Sequence, residues 1–310
     1  MTPAAFAARG AGGVIERFAG ETMGTDWSLQ AVSPPEGTAE RVQAALDLVV
    51  AQMSQWEPGS DLARFNRAAP GTWCEVPAEF AHVMKAALGI ARASGGAFDP
   101  GLGHVTEAWG FGSAGPVKAV PEVTAPAADR TIDFDHATRR IRRGRAAALD
   151  LSGIAKGYAV DLAAAWLRGI GVRHFLIEVG GELRGEGIRP DGQPWWVDVE
   201  MPPTSSIPPW RIALHDLSVA TSGNYRRGFT VGGQHFSHSF DPKTARPIAH
   251  NVSSVTVLHR DCTNADGWAT ALTVLGAAAA VALADEQRLA ACIVAGDREY
   301  PSRAWRYMLD

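Results

Sequence analysis

The spacing of apolar residues changes period repeatedly along this chain, and that alternation limits it to folds mixing helices with strands. In "TAERVQAALDLVVAQMS", Val42, Leu46, Val49 and Met53 recur at three- and four-residue steps, which predicts an amphipathic helix with its apolar stripe on the core. A second helical run follows Pro77, repeats Phe80, Val83, Met84, Leu88 and Ala91, and stops at Gly95-Gly96, so "AFDP" leaves a helix end directly. A third covers roughly residues 155 to 168, with Tyr158, Leu162 and Trp166 in register and Gly171 closing it. "VRHFLIEV" alternates like a half-buried strand, and "VSSVTVLH" is a β-rich run leading into the helical "CTNADGWATALTVLG". Residues 112 to 130 and 201 to 210, dense in Pro, Ala, Gly and Ser, are expected to be surface loops, either of which could mark a domain boundary. No repeat of about 20 to 50 residues is visible, which sets aside solenoids and propellers.

With 310 residues and 46% hydrophobic content, the chain can bury a large core. Its net charge of -4 and scattered Lys and Arg give no footprint for nucleic acid or an anionic membrane. Cys74, Cys262 and Cys292 are far apart, odd in number and without CxxC spacing, so they are expected to be reduced thiols rather than a disulfide framework or a zinc cage. No run of about 18 apolar residues occurs, and the first residues lack a charged start followed by an apolar run. No membrane segment and a cytoplasmic location are therefore expected.

Several short motifs fail on context. "GFGSAG" fits the dinucleotide pattern GxGxxG, but Pro116 follows at once and no helix opens there. Neither a P-loop nor a GxSxG nucleophile elbow is present. In "HFSHSFDP", His235 and His238 stand three apart, which puts their rings on opposite faces of an extended segment and disfavours a shared zinc ion. His238 stands out through the dense polar cluster of Ser237, Ser239 and the Asp-Pro turn around it.

The helix over residues 262 to 276 poses a sharper question, because Asp266 and Thr270 are four apart and share one face. A carboxylate and a hydroxyl placed this way suit a cation. Thr263 and Asp266 also fit the [ST]-x-x-[DE] capping box, which would explain Asp266 with no ligand at all. On these residues alone both readings stand.

Eight segments taken together, "ETMGTDWSL", "MSQWEPGSDLARFN", "GGAFDPGLG", "LDLSGIAKGYAVD", "VGGELRGEG", "ATSGNYRR", "FSHSFDPKTARP" and "NADGWATAL", resemble the ApbE family in content and in order. The resemblance spans residues 21 to 276. It implies an α+β fold of mixed antiparallel sheets and packed helices, in two interleaved lobes with the site between them. Residues 21 to 310 would form one unit, with residues 1 to 20 a poorly ordered extension.

The activity implied is magnesium-dependent transfer of FMN from FAD, the substrate, to a Thr or Ser of an acceptor protein with release of AMP. An FAD pyrophosphatase giving free FMN, or a flavin-binding protein without turnover, are the alternatives. By the same resemblance Mg²⁺ would be held by Asp266, Thr270 and the carbonyl of Ala155, an oxygen-only set of the kind that ion prefers. Met23, Trp56, Ala97, Phe98, Asp99, Lys156, Tyr158 and Phe240 would contact FAD, with Trp56 standing where the family usually has an aromatic. His238 would act as the base, with Asp241 orienting it. Ala245 departs from the pattern, since the family commonly has Gly there, and puts the shape of that turn in question.

Overall fold

The computed structural model describes residues 13–123, 130–203, 205–225, 228–231 and 233–308. Its main sheet has eight strands, β1 (Ile15–Thr22), β2 (Thr25–Val32), β3 (Phe175–Val179), β4 (Glu182–Glu186), β5 (Leu217–Gly223), β6 (Val252–His259), β7 (Ala290–Ala295) and β8 (Arg298–Pro301). They lie side by side in chain order and every neighbouring pair is antiparallel. The expected end of the N-terminal extension at residue 20 therefore falls inside the first strand, where Ile15 and Phe18 pair across to Val32 and Leu29. Residues 1 to 12 of that expected extension lie outside the described residues.

The connection from β2 to β3 carries α1 (Thr38–Met53), α2 (Asp61–Arg67), α3 (Ala78–Ala93), α4 (Gly103–Ala108) and α5 (Ala155–Gly169). The connection from β6 to β7 adds α6 (Cys262–Leu275) and α7 (Ala277–Glu286), and α8 (Arg303–Tyr307) follows the last strand. The periodic helical runs and the β-rich run at Val252–His259 are thus found where the sequence pattern placed them. The architecture is α+β, antiparallel sheet with packed helices.

Side chains alternate across the sheet as the pleat requires. Phe175, Ile177 and Val179 of β3, Val255 and Val257 of β6, and Ala291 and Ile293 of β7 join α1, α3, α5 and α6 in the main core. Leu176, Val219, Leu258 and Cys292 point to the opposite face, where Trp195, Val197, Leu214 and Trp305 cover them. The ribbon Trp195–Asp198 paired with Arg211–Leu214 supplies most of that cover. A third, smaller cluster gathers Leu102, Val105, Trp109, Phe236, Phe240 and Ala245 beside the sheet.

Two tight turns close one end of the sheet. Met23 and Gly24 link β1 to β2 with φ of 51° and 70°, and Gly180 and Gly181 link β3 to β4 with φ of 58° and 100°. Two-residue hairpins favour such left-handed backbone because its twist matches that of the strands. A methyl on Gly180 would also stand 2.8 Å from the Thr25 side chain.

Helices α5 and α6 pack against each other and onto the middle of the sheet, α5 on β3 and β4, α6 on β5 and β6. Their approach is close enough that a Cβ on Gly157 would sit 2.3 Å from the Cys262 carbonyl oxygen and 2.7 Å from the Asp266 Cβ. Both obstacles belong to α6 itself rather than to a flexible side-chain end. Gly157→Ala should therefore push the helices apart and destabilise the fold by about 1–3 kcal/mol, the usual cost of overpacking a close contact. Urea unfolding followed by tryptophan fluorescence checks this; a midpoint equal to wild type would show that the helices part freely.

Candidate functional site

A cleft of roughly 1280 Å³ opens at the end of the sheet where the two hairpin turns lie. That exceeds the roughly 300–1,000 Å³ common for drug-sized ligands, leaving room for an extended dinucleotide. Met23, Gly24, Gly180 and Gly181 form part of its wall, Ser222 and Gly223 at the end of β5 another part, and α5 and α6 contribute Ala155, Lys156, Asp266 and Thr270.

The inner wall is a ladder between α5 and α6. The Thr270 hydroxyl donates to the Gly153 carbonyl at 3.3 Å. One turn along, the Gly157 N–H donates to Asp266 Oδ2 at 2.9 Å. A further turn along, Asp161 receives the N–H groups of Cys262 (2.9 Å) and Thr263 (2.8 Å) and the Thr263 hydroxyl (2.6 Å). Positions 153, 157 and 161 step by four, as do 270, 266 and 262, so the two chains meet face to face in opposite directions.

This arrangement decides the capping question. The helix begins at Cys262 with Asp261 as its N-cap, and that side chain makes no cap hydrogen bond. Thr263 is already inside the helix and its hydroxyl donates to Asp161, while Asp266 lies too deep to reach an unpaired N–H of the first turn. The capping-box reading of Thr263 and Asp266 is thus overturned: the cap comes from α5. Asp266 is left buried, 5% exposed, with its carboxylate turned to the cleft wall and Oδ1 accepting no hydrogen bond from the described residues.

Charge is concentrated here. Lys156 ion-pairs with Glu182, the first residue of β4, which is 2% exposed. Burial pushes the Glu182 carboxyl up to about 7, the Lys156 ammonium pulls against that rise, and the Asp266 charge adds to it. Burial likewise raises Asp266, opposed by Lys156 and by the Gly157 N–H. Burial works against the charge on Lys156, yet the Glu182 and Asp266 carboxylates outweigh it and hold the ammonium above the ordinary lysine value. Neither Glu182 nor Asp161 stood out from the sequence as a functional position. The signal for Asp161 was its spacing of four from Gly157; that for Glu182 was a carboxylate directly after a Gly-Gly turn.

The flanking segments bring in the aromatic groups. Ser54 accepts the N–H groups of Trp56 and Glu57 at 3.2 Å each, and the Ser60 hydroxyl donates to its carbonyl at 2.6 Å, so a knotted turn presents Trp56, 48% exposed, on the cleft rim. After α3, Gly95 and Gly96 take left-handed backbone and the Phe98 N–H donates to Ser94 Oγ at 3.1 Å. Ala97 and Phe98 are thereby buried, while Asp99 accepts the Gly101 N–H at 2.8 Å and pairs with Arg130 at 3.3 Å. Asp99 is both a turn residue and a cleft residue.

The third cluster carries His238 and Phe240. Trp109 packs on Phe236 and Phe240 at ring separations of 5.3 and 6.2 Å, and Phe111 lies 6.2 Å from the His238 ring. His235 is exposed whereas His238 lines the cleft, so the two rings do face apart. Among the described residues no group of three or more His, Cys, Asp and Glu side chains is placed to hold a metal.

Of the residues singled out from sequence, Met23, Trp56, Ala97, Phe98, Asp99, Ala155, Lys156, His238, Phe240, Asp266 and Thr270 all line this one cleft. Two lie outside the lining. Tyr158 packs against His82 with ring centroids 5.5 Å apart, and burial, followed by Glu79 and Asp161, pushes its hydroxyl up to about 12. Asp241 accepts the Lys243 N–H at 2.9 Å and the Thr244 hydroxyl at 3.2 Å, which binds its carboxylate into its own turn.

A family model described as the ApbE family matches residues 23–293. The FAD:protein FMN transferase of Haemophilus influenzae is 35% identical over 300 residues, covering 89% of this chain and 85% of the relative. That of Vibrio cholerae is 33% identical over 311 residues, covering 94% of this chain and 92% of the relative. The crystal structure of the Pseudomonas stutzeri flavinyl transferase ApbE in its apo form superposes with a TM-score of 0.86 at 32% identity, covering 95% of this chain and 96% of that one.

The buried Glu182 gives the site a testable pH signature. A carboxyl raised on folding favours the folded state while protonated, and that advantage is lost as pH climbs from the ordinary 4.5 through about 7. Wild type should therefore lose stability relative to Glu182→Gln across that window. Urea midpoints of both proteins at either side of it measure the difference; a gap that stays constant with pH would return Glu182 to the ordinary glutamate range.

Proposed function

Because the chain belongs to the ApbE family, we propose that it is a magnesium-dependent FAD:protein FMN transferase. It would join FMN through a phosphoester to a Thr or Ser hydroxyl of an acceptor protein and release AMP. The observation that carries this reading is the lining of the cleft. Asp99 and Asp198 in this lining are paired with Arg130 and Arg211, but Asp26, Glu57, Asp150, Glu178, Glu182 and Asp266 line it too, and Lys156 is the one ammonium among the described lining residues. A pyrophosphate entering such a wall needs a cation to neutralise it.

The donors present fit magnesium. Asp266 Oδ1 is open and the Thr270 oxygen keeps lone pairs after donating to Gly153, so a carboxylate and a hydroxyl are available as hard oxygen ligands, and the carbonyl of Ala155, a residue of the same wall, would add a third through its second lone pair. Bound there, Mg²⁺ supplies charge neutralisation at the phosphate oxygens and at departing AMP. Lys156, held in place by Glu182, adds a fixed positive charge beside the same wall. Trp56 on the rim and Met23 in the hairpin turn offer apolar surfaces for the flavin and adenine rings.

The acceptor hydroxyl attacks the phosphorus of the FMN half, its new P–O bond replaces the one to AMP, and its proton must go to a base. His238 lines the cleft and an imidazole titrates in the right range. Asp241 accepts the Lys243 N–H and the Thr244 hydroxyl within its own turn, and its expected role in orienting the imidazole stays part of the proposal.

The test is incubation of an acceptor bearing a Thr-containing segment with FAD, Mg²⁺ and enzyme, followed by mass spectrometry of the acceptor and quantification of AMP. Wild type should add one FMN per AMP released. His238→Ala should still bind FAD and transfer roughly 10²- to 10⁴-fold more slowly, the usual contribution of a general base. Asp266→Ala should release no AMP at any Mg²⁺ concentration. AMP appearing with free FMN and an unmodified acceptor would replace the transferase by an FAD pyrophosphatase.

A further inference from the structure

We infer that Asp161 is a positioning residue for the cation site: it pins the start of α6 so that Asp266 and Thr270 stay in register with Ala155. The inference rests on the magnesium reading above. Asp161 is absent from the cleft lining, so any effect it has on the site passes through α6.

A helix begins with N–H groups that have no partner in the helix. In α6 the N-cap Asp261 leaves them unanswered by its side chain, and α7 and α3 offer no hydrogen bond to them among the described residues. Asp161 meets this need from another helix. Its Oδ1 receives the Cys262 N–H and its Oδ2 receives both the N–H and the hydroxyl of Thr263. Arg184 Nη1 stands 3.5 Å from Oδ1 and steadies the carboxylate.

The pin has a direct path to the ligands. Asp161 lies one turn beyond Gly157 on the same face of α5, and Gly157 touches both the Cys262 carbonyl and the Asp266 side chain. The next contact along α6 is Thr270 with Gly153. Each residue of slip along α6 is about 1.5 Å of translation and about 100° of rotation, more than a coordinating oxygen tolerates. The Gly157 and Thr270 contacts are single hydrogen bonds, whereas Asp161 makes three at one carboxylate. Release of that end lets α6 turn against α5 at the point where there is no side chain to resist it.

The experiment uses the full chain and Mn²⁺ alone as probe, its binding followed by the loss of the free-ion EPR signal, without FAD. Asp161→Ala should bind Mn²⁺ on the order of 10-fold more weakly, the lower end of what loss of a supporting residue costs a metal site. FAD affinity in EDTA should be unchanged, and so should the far-UV circular dichroism. Asp161→Asn keeps one acceptor oxygen and should fall between the two, and it carries the same test if the alanine variant does not fold. A lowered melting temperature with wild-type Mn²⁺ affinity below the melt would overturn the inference and leave Asp161 a stabilising cap. Asp266→Ala separates the two layers of argument. If it abolishes Mn²⁺ binding while Asp161→Ala does not weaken it, Asp161 alone is wrong; if it binds Mn²⁺ like wild type, the metal site itself is wrong.

Discussion

The structure turns on the side-by-side packing of α5 and α6. Three contacts, Gly153 with Thr270, Gly157 with Asp266, and Asp161 with Cys262 and Thr263, repeat at four-residue steps along α6 and along α5 with the turn that leads into it. A glycine in the middle is what permits it, because any side chain there would meet backbone. Close approach in turn buries Asp266 and brings it within reach of the first turn of α5, where Ala155 and Lys156 stand. A stability feature, the answering of unpaired N–H groups, and a functional feature, the placing of a carboxylate, thus share one set of contacts.

Burial gives that carboxylate its chemical character. Asp266 and Glu182 both lie in surroundings that favour their neutral forms, and Lys156 beside them opposes that shift without cancelling it. A buried ion pair of this kind contributes little net stability, because desolvation offsets most of its attraction. Its presence at the wall of a cleft otherwise lined by carboxylates is better explained by what enters the cleft. A cation bound at such a wall, as proposed, would offset the charge of an anionic dinucleotide.

Much of this was legible in the sequence. Apolar periodicity located α1, α3 and α5 because each buries one face, and burial is what periodicity records, while β6 was legible from its β-rich composition. The shared face of Asp266 and Thr270 was visible from their spacing of four. What local sequence could not carry was the partner of each group. Thr263 and Asp266 satisfy a capping box on paper, but the helix starts one residue before Thr263, and the competing acceptor is Asp161, 102 residues away. Tyr158 belongs to the same motif as Lys156, yet helical positions two apart point about 200° apart, to opposite sides of the helix, and it packs on His82 instead. Membership of a motif does not fix which way a side chain points.

The turn after His238 shows how a local departure is absorbed. Ala245 takes a left-handed backbone, φ 54°, which for an L-residue costs roughly 1–2 kcal/mol. The contacts around it hold that geometry all the same: its N–H donates to the Asp241 carbonyl at 2.9 Å, its carbonyl accepts the Trp109 indole N–H at 3.1 Å, and its methyl is buried in the aromatic cluster. Asp241 completes the turn with its carboxylate on Lys243 and Thr244. Glycine would adopt the same backbone without strain, but it would leave that cluster without a methyl. The alanine therefore exchanges backbone ease for packing, and the turn that follows Phe240 and His238 keeps its left-handed shape without the glycine.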